Sequence, residues 1–119
     1  MKKSLLLTTL VCSSFHLYAQ DKKTAEECFK KADYKCAEEQ YSKLAEKEQI
    51  QKYQSEYYNS LGTAQRRLGK TTLALKSYES ALKSNPLSGS VYANLASLNS
   101  QKGNKAKPKH WNTSPKVLQ

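Results

Sequence analysis

The chain has 119 residues, a formal charge of +10 and 38% hydrophobic residues, which allows one small domain. Ala, Leu, Lys, Glu, Gln and Tyr dominate, Val and Ile are nearly absent, and only four Gly and three Pro occur; this favours helices and argues against a sheet. Between Asp21 and Glu79 there are 12 basic residues against 10 acidic ones, and no acid follows Glu79, so the positive excess belongs to the two ends of the chain.

Residues 1–20 read as a secretory signal peptide. Lys2 and Lys3 form a basic start, Leu5 to Val11 an apolar stretch, and Leu17-Tyr18-Ala19-Gln20 a cleavage zone, which predicts processing near Ala19 or Gln20. A retained anchor fits less well, because the apolar run is broken by Thr8, Thr9, Ser13, Ser14 and His16 and falls short of the roughly 20 residues a spanning helix needs. Lipid modification of Cys12 fits less well again, since Val11 stands where such processing requires a small residue. No stable membrane span is expected once the signal is removed.

Five helices are predicted beyond it, over Lys22 to Lys31, Lys35 to Lys47, Gln51 to Leu68, Thr71 to Ser84 and Leu87 to Gln101. Turn signals separate them at Ala32-Asp33, Leu68-Gly69-Lys70 and Asn85-Pro86. Residues 104–119 carry Pro108, Pro115, several lysines and almost no apolar periodicity, and read as a basic disordered tail. A repeat array cut short has the same look.

The helices repeat. A shift of 34 residues brings Tyr58 onto Tyr92, Leu61 onto Leu95, Gly62 onto Ala96 and Gly69 onto Gly103; a shift of 37 brings Ala37 onto Ala74, Tyr41 onto Tyr78 and Leu44 onto Ala81. The difference places a three-residue lengthening around Gln49 to Gln54. Within Ser55 to Ser88 the order is Tyr58-x2-Leu61-Gly62, then Ala74-x3-Tyr78-x2-Ala81, then Pro86. Gly62, Ala74 and Ala81 let two helices approach closely, Tyr58, Leu61 and Tyr78 fill the space between turns, and Pro86 ends a helix.

This pattern resembles the tetratricopeptide repeat. The resemblance implies an all-α fold, a short right-handed α-solenoid of about two and a half helical hairpins over residues 21–103, marginal against the three or so repeats such arrays usually need. Gln65 departs from the family's usual aromatic, Tyr58 replaces the commoner Trp, and the first unit has Thr24-Ala25 in place of Leu-Gly. In the family, the first helix of each unit lines a concave groove that receives a protein or peptide. Carried onto this sequence, the groove residues are Glu56, Asn59, Thr63 and Arg66 from one unit, with Ser90, Asn94, Ser97 and Gln101 from the next. A solvated helix position is the competing reading for each.

Cys28 and Cys36 flank the Ala32-Asp33 turn. Two readings stay open: a disulfide stapling the hairpin, if the Cα atoms come within about 7 Å, or two small buried residues at a tight crossing. Their spacing is not that of a metal-ligand pair, and neither a metal nor a cofactor is expected. No catalytic residue is expected either. His16 belongs to the leader and His110 to the tail, so a nucleophile in the body has no evident base, and Glu26-Glu27 and Glu38-Glu39 point to different sectors of their helices. The tail lysines are interspersed with Pro, Asn, Ser and Thr, with Trp111 alone for stacking, which argues against a nucleic-acid partner. The signal and the cysteine-bearing repeat look similar to small envelope proteins of Bacteroidetes-type bacteria, placing the chain in the periplasm or at the cell surface. The expected function is a non-catalytic scaffold or adaptor for a protein or peptide partner. The alternative is a structural unit that self-associates or completes a larger complex.

Overall fold

The computed structural model describes residues 19–106. The expected leader up to residue 18, with Cys12 and His16, and the expected tail from residue 107, with His110 and Trp111, lie outside the described residues. Five helices are present among those described: α1 over residues 19–30, α2 Tyr34–Lys47, α3 Gln51–Arg67, α4 Thr71–Ser84 and α5 Gly89–Ala106. They form a short all-α solenoid in which α1 pairs with α2, α3 pairs with α4, and α5 closes the stack.

Each hairpin turns through the same local geometry. At the end of α1, Asp33 N–H donates to Cys28 O (2.9 Å) and Ala32 N–H to Phe29 O (3.0 Å), with Ala32 in the left-handed region at φ 56°. Thirty-seven residues on, Lys70 N–H donates to Gln65 O (2.9 Å) and Gly69 N–H to Arg66 O (3.0 Å), with Gly69 at φ 77°. These paired bonds satisfy the last carbonyls of a helix and reverse the chain. Gly69 adopts the conformation at little cost, whereas Ala32 is held there by the elements it joins. Asp33 then caps α2, its Oδ1 accepting Cys36 N–H (3.1 Å).

Helix α5 differs from its expected span at both ends. Asn85 Oδ1 accepts Leu87 N–H (3.2 Å) and Asn85 O accepts Ser88 N–H (3.3 Å), so Leu87 belongs to a turn and the helix starts two residues later than expected. It then runs through Ala106, past the helix end expected at Gln101 and the domain boundary expected at residue 103, and Gly103 stays helical; Gly69 is the one described glycine with positive φ.

Small residues make the hairpins tight. Ala25, Ala37, Ala45, Ala64, Ala74 and Ala81 are fully buried. Around them Cys28, Tyr41, Leu44, Tyr57 and Leu61 form one core, and Tyr78, Val91 and Leu98 a second, with Tyr58 packed against both. Polar side chains lock the stacking: Ser55 Oγ donates to Ala81 O (2.8 Å), and Gln54 bridges Ala45 O (3.1 Å) and Ser84 Oγ (2.9 Å).

A Cβ on Gly62 would stand 2.7 Å from Cε1 and 2.8 Å from Cδ1 of the Tyr78 ring, whereas one on Gly103 would meet nothing. Alanine gains about 1 kcal/mol of helix propensity at either site, but at Gly62 overpacking of roughly 1–3 kcal/mol opposes it. Gly62→Ala is therefore expected to lower the thermal midpoint by a few degrees and Gly103→Ala to raise it, as followed by the helical circular dichroism signal.

Candidate functional site

Helices α3 and α5 each carry a polar stripe. On α3 it carries Glu56, Asn59, Thr63 and Arg66, spaced three and four residues apart, so they share one face. On α5 it carries Ser90, Asn94, Ser97 and Gln101 on the same spacing. The stacking pairs five of these eight side chains between the two helices, and Thr63 stands in the same row on α3. Asn94 Nδ2 donates to Asn59 Oδ1 (2.9 Å), Asn59 Nδ2 to Ser90 Oγ (3.5 Å), and Arg66 Nη1 to Ser97 Oγ (3.0 Å). Thr63 Oγ1 donates to Asn59 O (3.0 Å) and lies 3.2 Å from Tyr78 Oη. Glu56 and Gln101 are exposed one turn beyond opposite ends of this ladder.

The ladder is polar and only partly buried. Asn59, Thr63, Arg66, Asn94 and Ser97 are all half-buried, while Ser90 is exposed. Arg66 is its one fixed charge, and its Nε is buried with no hydrogen-bond partner among the described residues. An amide, hydroxyl and guanidinium array of this kind both donates and accepts, which suits the alternating N–H and C=O groups of an extended peptide. Among the described residues no three His, Cys, Asp or Glu side chains come together as metal ligands, and no helix is long and apolar enough to cross a membrane.

One contributor escaped the sequence reading. The Tyr78 hydroxyl reaches the ladder from α4 through Thr63. At the 37-residue shift its counterpart, Tyr41, has Ser60 and the Glu26 carboxylate nearby, and Glu26 is the counterpart of Thr63. Second-helix tyrosines therefore place their hydroxyls among polar residues of the first helices in both hairpins, a regularity visible in the sequence once the shift is applied. Burial pushes the Tyr41 hydroxyl above its ordinary value of 10.0, and Glu26 adds to the effect while Ser60 opposes it. The folded state thus holds this proton more tightly than the unfolded state. The resulting stability is complete below pH 10 and is lost as the pH rises through the folded value. Above pH 10 the wild type is expected to lose stability more steeply than Tyr41→Phe in urea titrations; equal slopes contradict this assignment.

The interior of each hairpin holds a cross-link. In the first, the sulfurs of Cys28 and Cys36 are at disulfide-bonding distance with Cα atoms 5.7 Å apart. In the second, Ser77 Oγ donates to the buried Gln65 Oε1 (2.6 Å), and Gln65 is the counterpart of Cys28 at the 37-residue shift. On the turn edge, Lys70 Nζ pairs with Glu38 (2.7 Å) and the Arg67 guanidinium lies 5.8 Å from the centre of the Tyr34 ring. These exposed contacts between neighbouring hairpins contribute little individually.

The sequence pattern of the tetratricopeptide repeat matches residues 55–86, the α3–α4 hairpin with the turn that follows it. No curated protein and no solved structure matches the chain. Repeats of this type generally mediate protein–protein interactions.

Proposed function

We propose that the chain is an exported, non-catalytic interaction module that holds an extended peptide or protein segment along the face shared by α3 and α5. The observation that carries this reading is the hydrogen-bonded pairing of Asn59 and Arg66 on α3 with Ser90, Asn94 and Ser97 on α5. Pairing between the two helices holds these groups in place, so a partner meets an ordered surface and loses less freedom on binding. The basic start, apolar run and Tyr-Ala-Gln ending of the leader support export to the periplasm or cell surface of a Bacteroidetes-type bacterium. Arg66→Ala combined with Asn94→Ala is expected to weaken a copurifying partner by about tenfold or more, with the helical signal kept. Glu79→Ala and Lys76→Ala, exposed on α4, should leave it bound. Equal loss from both pairs refutes the assignment of this face.

A second reading is a structural or assembly unit. It is favoured by Leu87, 91% exposed, and Tyr92, 52% exposed, apolar groups at the open end of the stack that another copy or a larger chain would cover. A solution mass that rises with concentration favours this reading; a constant monomer mass favours the first.

A further inference from the structure

We propose that the cleft where α1, the α2–α3 connection and α3 meet anchors a bulky apolar side chain of a partner peptide whose neighbouring residue is acidic. The inference rests on the peptide-binding role proposed above and locates where such a peptide is gripped.

The cleft has a volume of about 580 Å³, and Ala19, Lys22, Lys47, Ile50, Tyr53 and Tyr57 line it. That volume lies within the roughly 300–1,000 Å³ of pockets that hold compact ligands. The cleft sits where the repeat lengthens, between Gln49 and Gln54. Tyr53 and Tyr57 are four residues apart and share one face at the start of α3, and Ile50, extended just before the helix, lines the cleft with them. Tyr57 is buried, its ring centre 6.3 Å from that of Tyr41, and forms a floor. Ile50 and Tyr53 remain 57% and 41% exposed, leaving an apolar wall that an incoming side chain would dry.

Position and charge choose the occupant. At the 37-residue shift Ala19 and Lys22 correspond to Glu56 and Asn59, so the cleft opens on the side of the polar ladder, and a peptide extended along the ladder reaches it. Lys22 and Lys47 bring two cations to the lining, and the nearby Glu26 screens Lys22 only across an exposed 4.0 Å pair. The acid of the lining, Glu48, turns its Oε1 onto Ile50 N–H (2.9 Å). An apolar wall beside two lysines is complementary to a side chain such as Phe followed by Asp.

The test is an NMR titration of the full chain with three blocked hexapeptides: Gly-Ser-Phe-Asp-Ser-Gly, the same with Ala for Phe, and the same with Lys for Asp. The first is expected to shift the amides of Lys22, Lys47, Ile50 and Tyr53, and the other two to bind at least about fivefold more weakly. Ile50→Ser with Tyr53→Ser, both exposed sites, is expected to weaken the first peptide about tenfold with the remaining spectrum unchanged. Lys22→Ala with Lys47→Ala should abolish the preference for Asp over Lys. Binding of this short peptide reports the cleft, and partner copurification with Arg66→Ala and Asn94→Ala reports the ladder, so failure of the ladder reading and failure of the cleft are distinguishable. Equal affinity for all three peptides, or shifts that map elsewhere, overturns the proposal.

Discussion

Replacing Tyr78 by alanine is expected to remove most of the stability of the fold. Tyr78 is fully buried, lies against Gly62, anchors the core it shares with Val91 and Leu98, and reaches Thr63 with its hydroxyl. Truncating a buried aromatic of this size costs about 3–5 kcal/mol, against a total of about 5–15 kcal/mol for a typical small domain. A short array falls at the low end of that range, since each hairpin relies on its neighbour for cover. Urea unfolding followed by helical circular dichroism should show the midpoint collapsing for Tyr78→Ala. Tyr78→Phe keeps the ring and should lose only about 1 kcal/mol, the worth of one hydrogen bond. A Tyr78→Ala protein that unfolds like the wild type would contradict the packing described for the second hairpin.

The second large effect is expected from the cysteines. A disulfide between Cys28 and Cys36 closes a loop at a sequence separation of 8, for which chain-entropy arguments give about 2–3 kcal/mol. The effect should be local. Helix α1 is the terminal element of the described stack and contributes Ala25, Cys28 and Phe29 to the first core, whereas α3 and α4 are held independently by Ser55, Gln65 and Ser77. Reduction, or Cys28→Ser with Cys36→Ser, is expected to speed amide exchange in α1 by about a hundredfold with α4 little changed. Exchange in α1 that does not respond to reductant would mean that the cysteines act as small packing residues.

Much of the fold was legible because the residues that set it act locally. Gly69 and Pro86 end helices through their own backbones, and Ala74, Tyr78 and Ala81 hold positions where only a small or a space-filling side chain serves. The 37-residue shift that aligns Ala37 with Ala74 also aligns Ala32 with Gly69, and the two share the left-handed conformation. The end of α5 was less legible: a glycine stops a helix only when it turns left-handed, and Gly103 does not. Gln65, odd in sequence for a position that usually holds an aromatic, finds its reason in Ser77, a partner on the opposite helix that spacing alone does not reveal. The α3 and α5 stripes were readable from their three-and-four spacing. Their mutual pairing was not, since Asn59 and Asn94 are 35 residues apart in sequence. The cleft was hidden for a similar reason. Ile50, Tyr53 and Tyr57 form an apolar row in the sequence, but the wall opposite them comes from Ala19 and Lys22, and the gap between the two depends on how the lengthened connection seats α3.

The central claim is that the α3–α5 face is the working surface, and site-specific photocrosslinking in the producing cell tests it most directly. A photoreactive amino acid at Ser97 or Gln101, on that face, is compared with one at Glu79 or Lys76, exposed on α4. The account predicts adducts with a different protein from Ser97 and Gln101 and none from Glu79 or Lys76. Adducts with a second copy of the chain, or adducts from α4 alone, would contradict it.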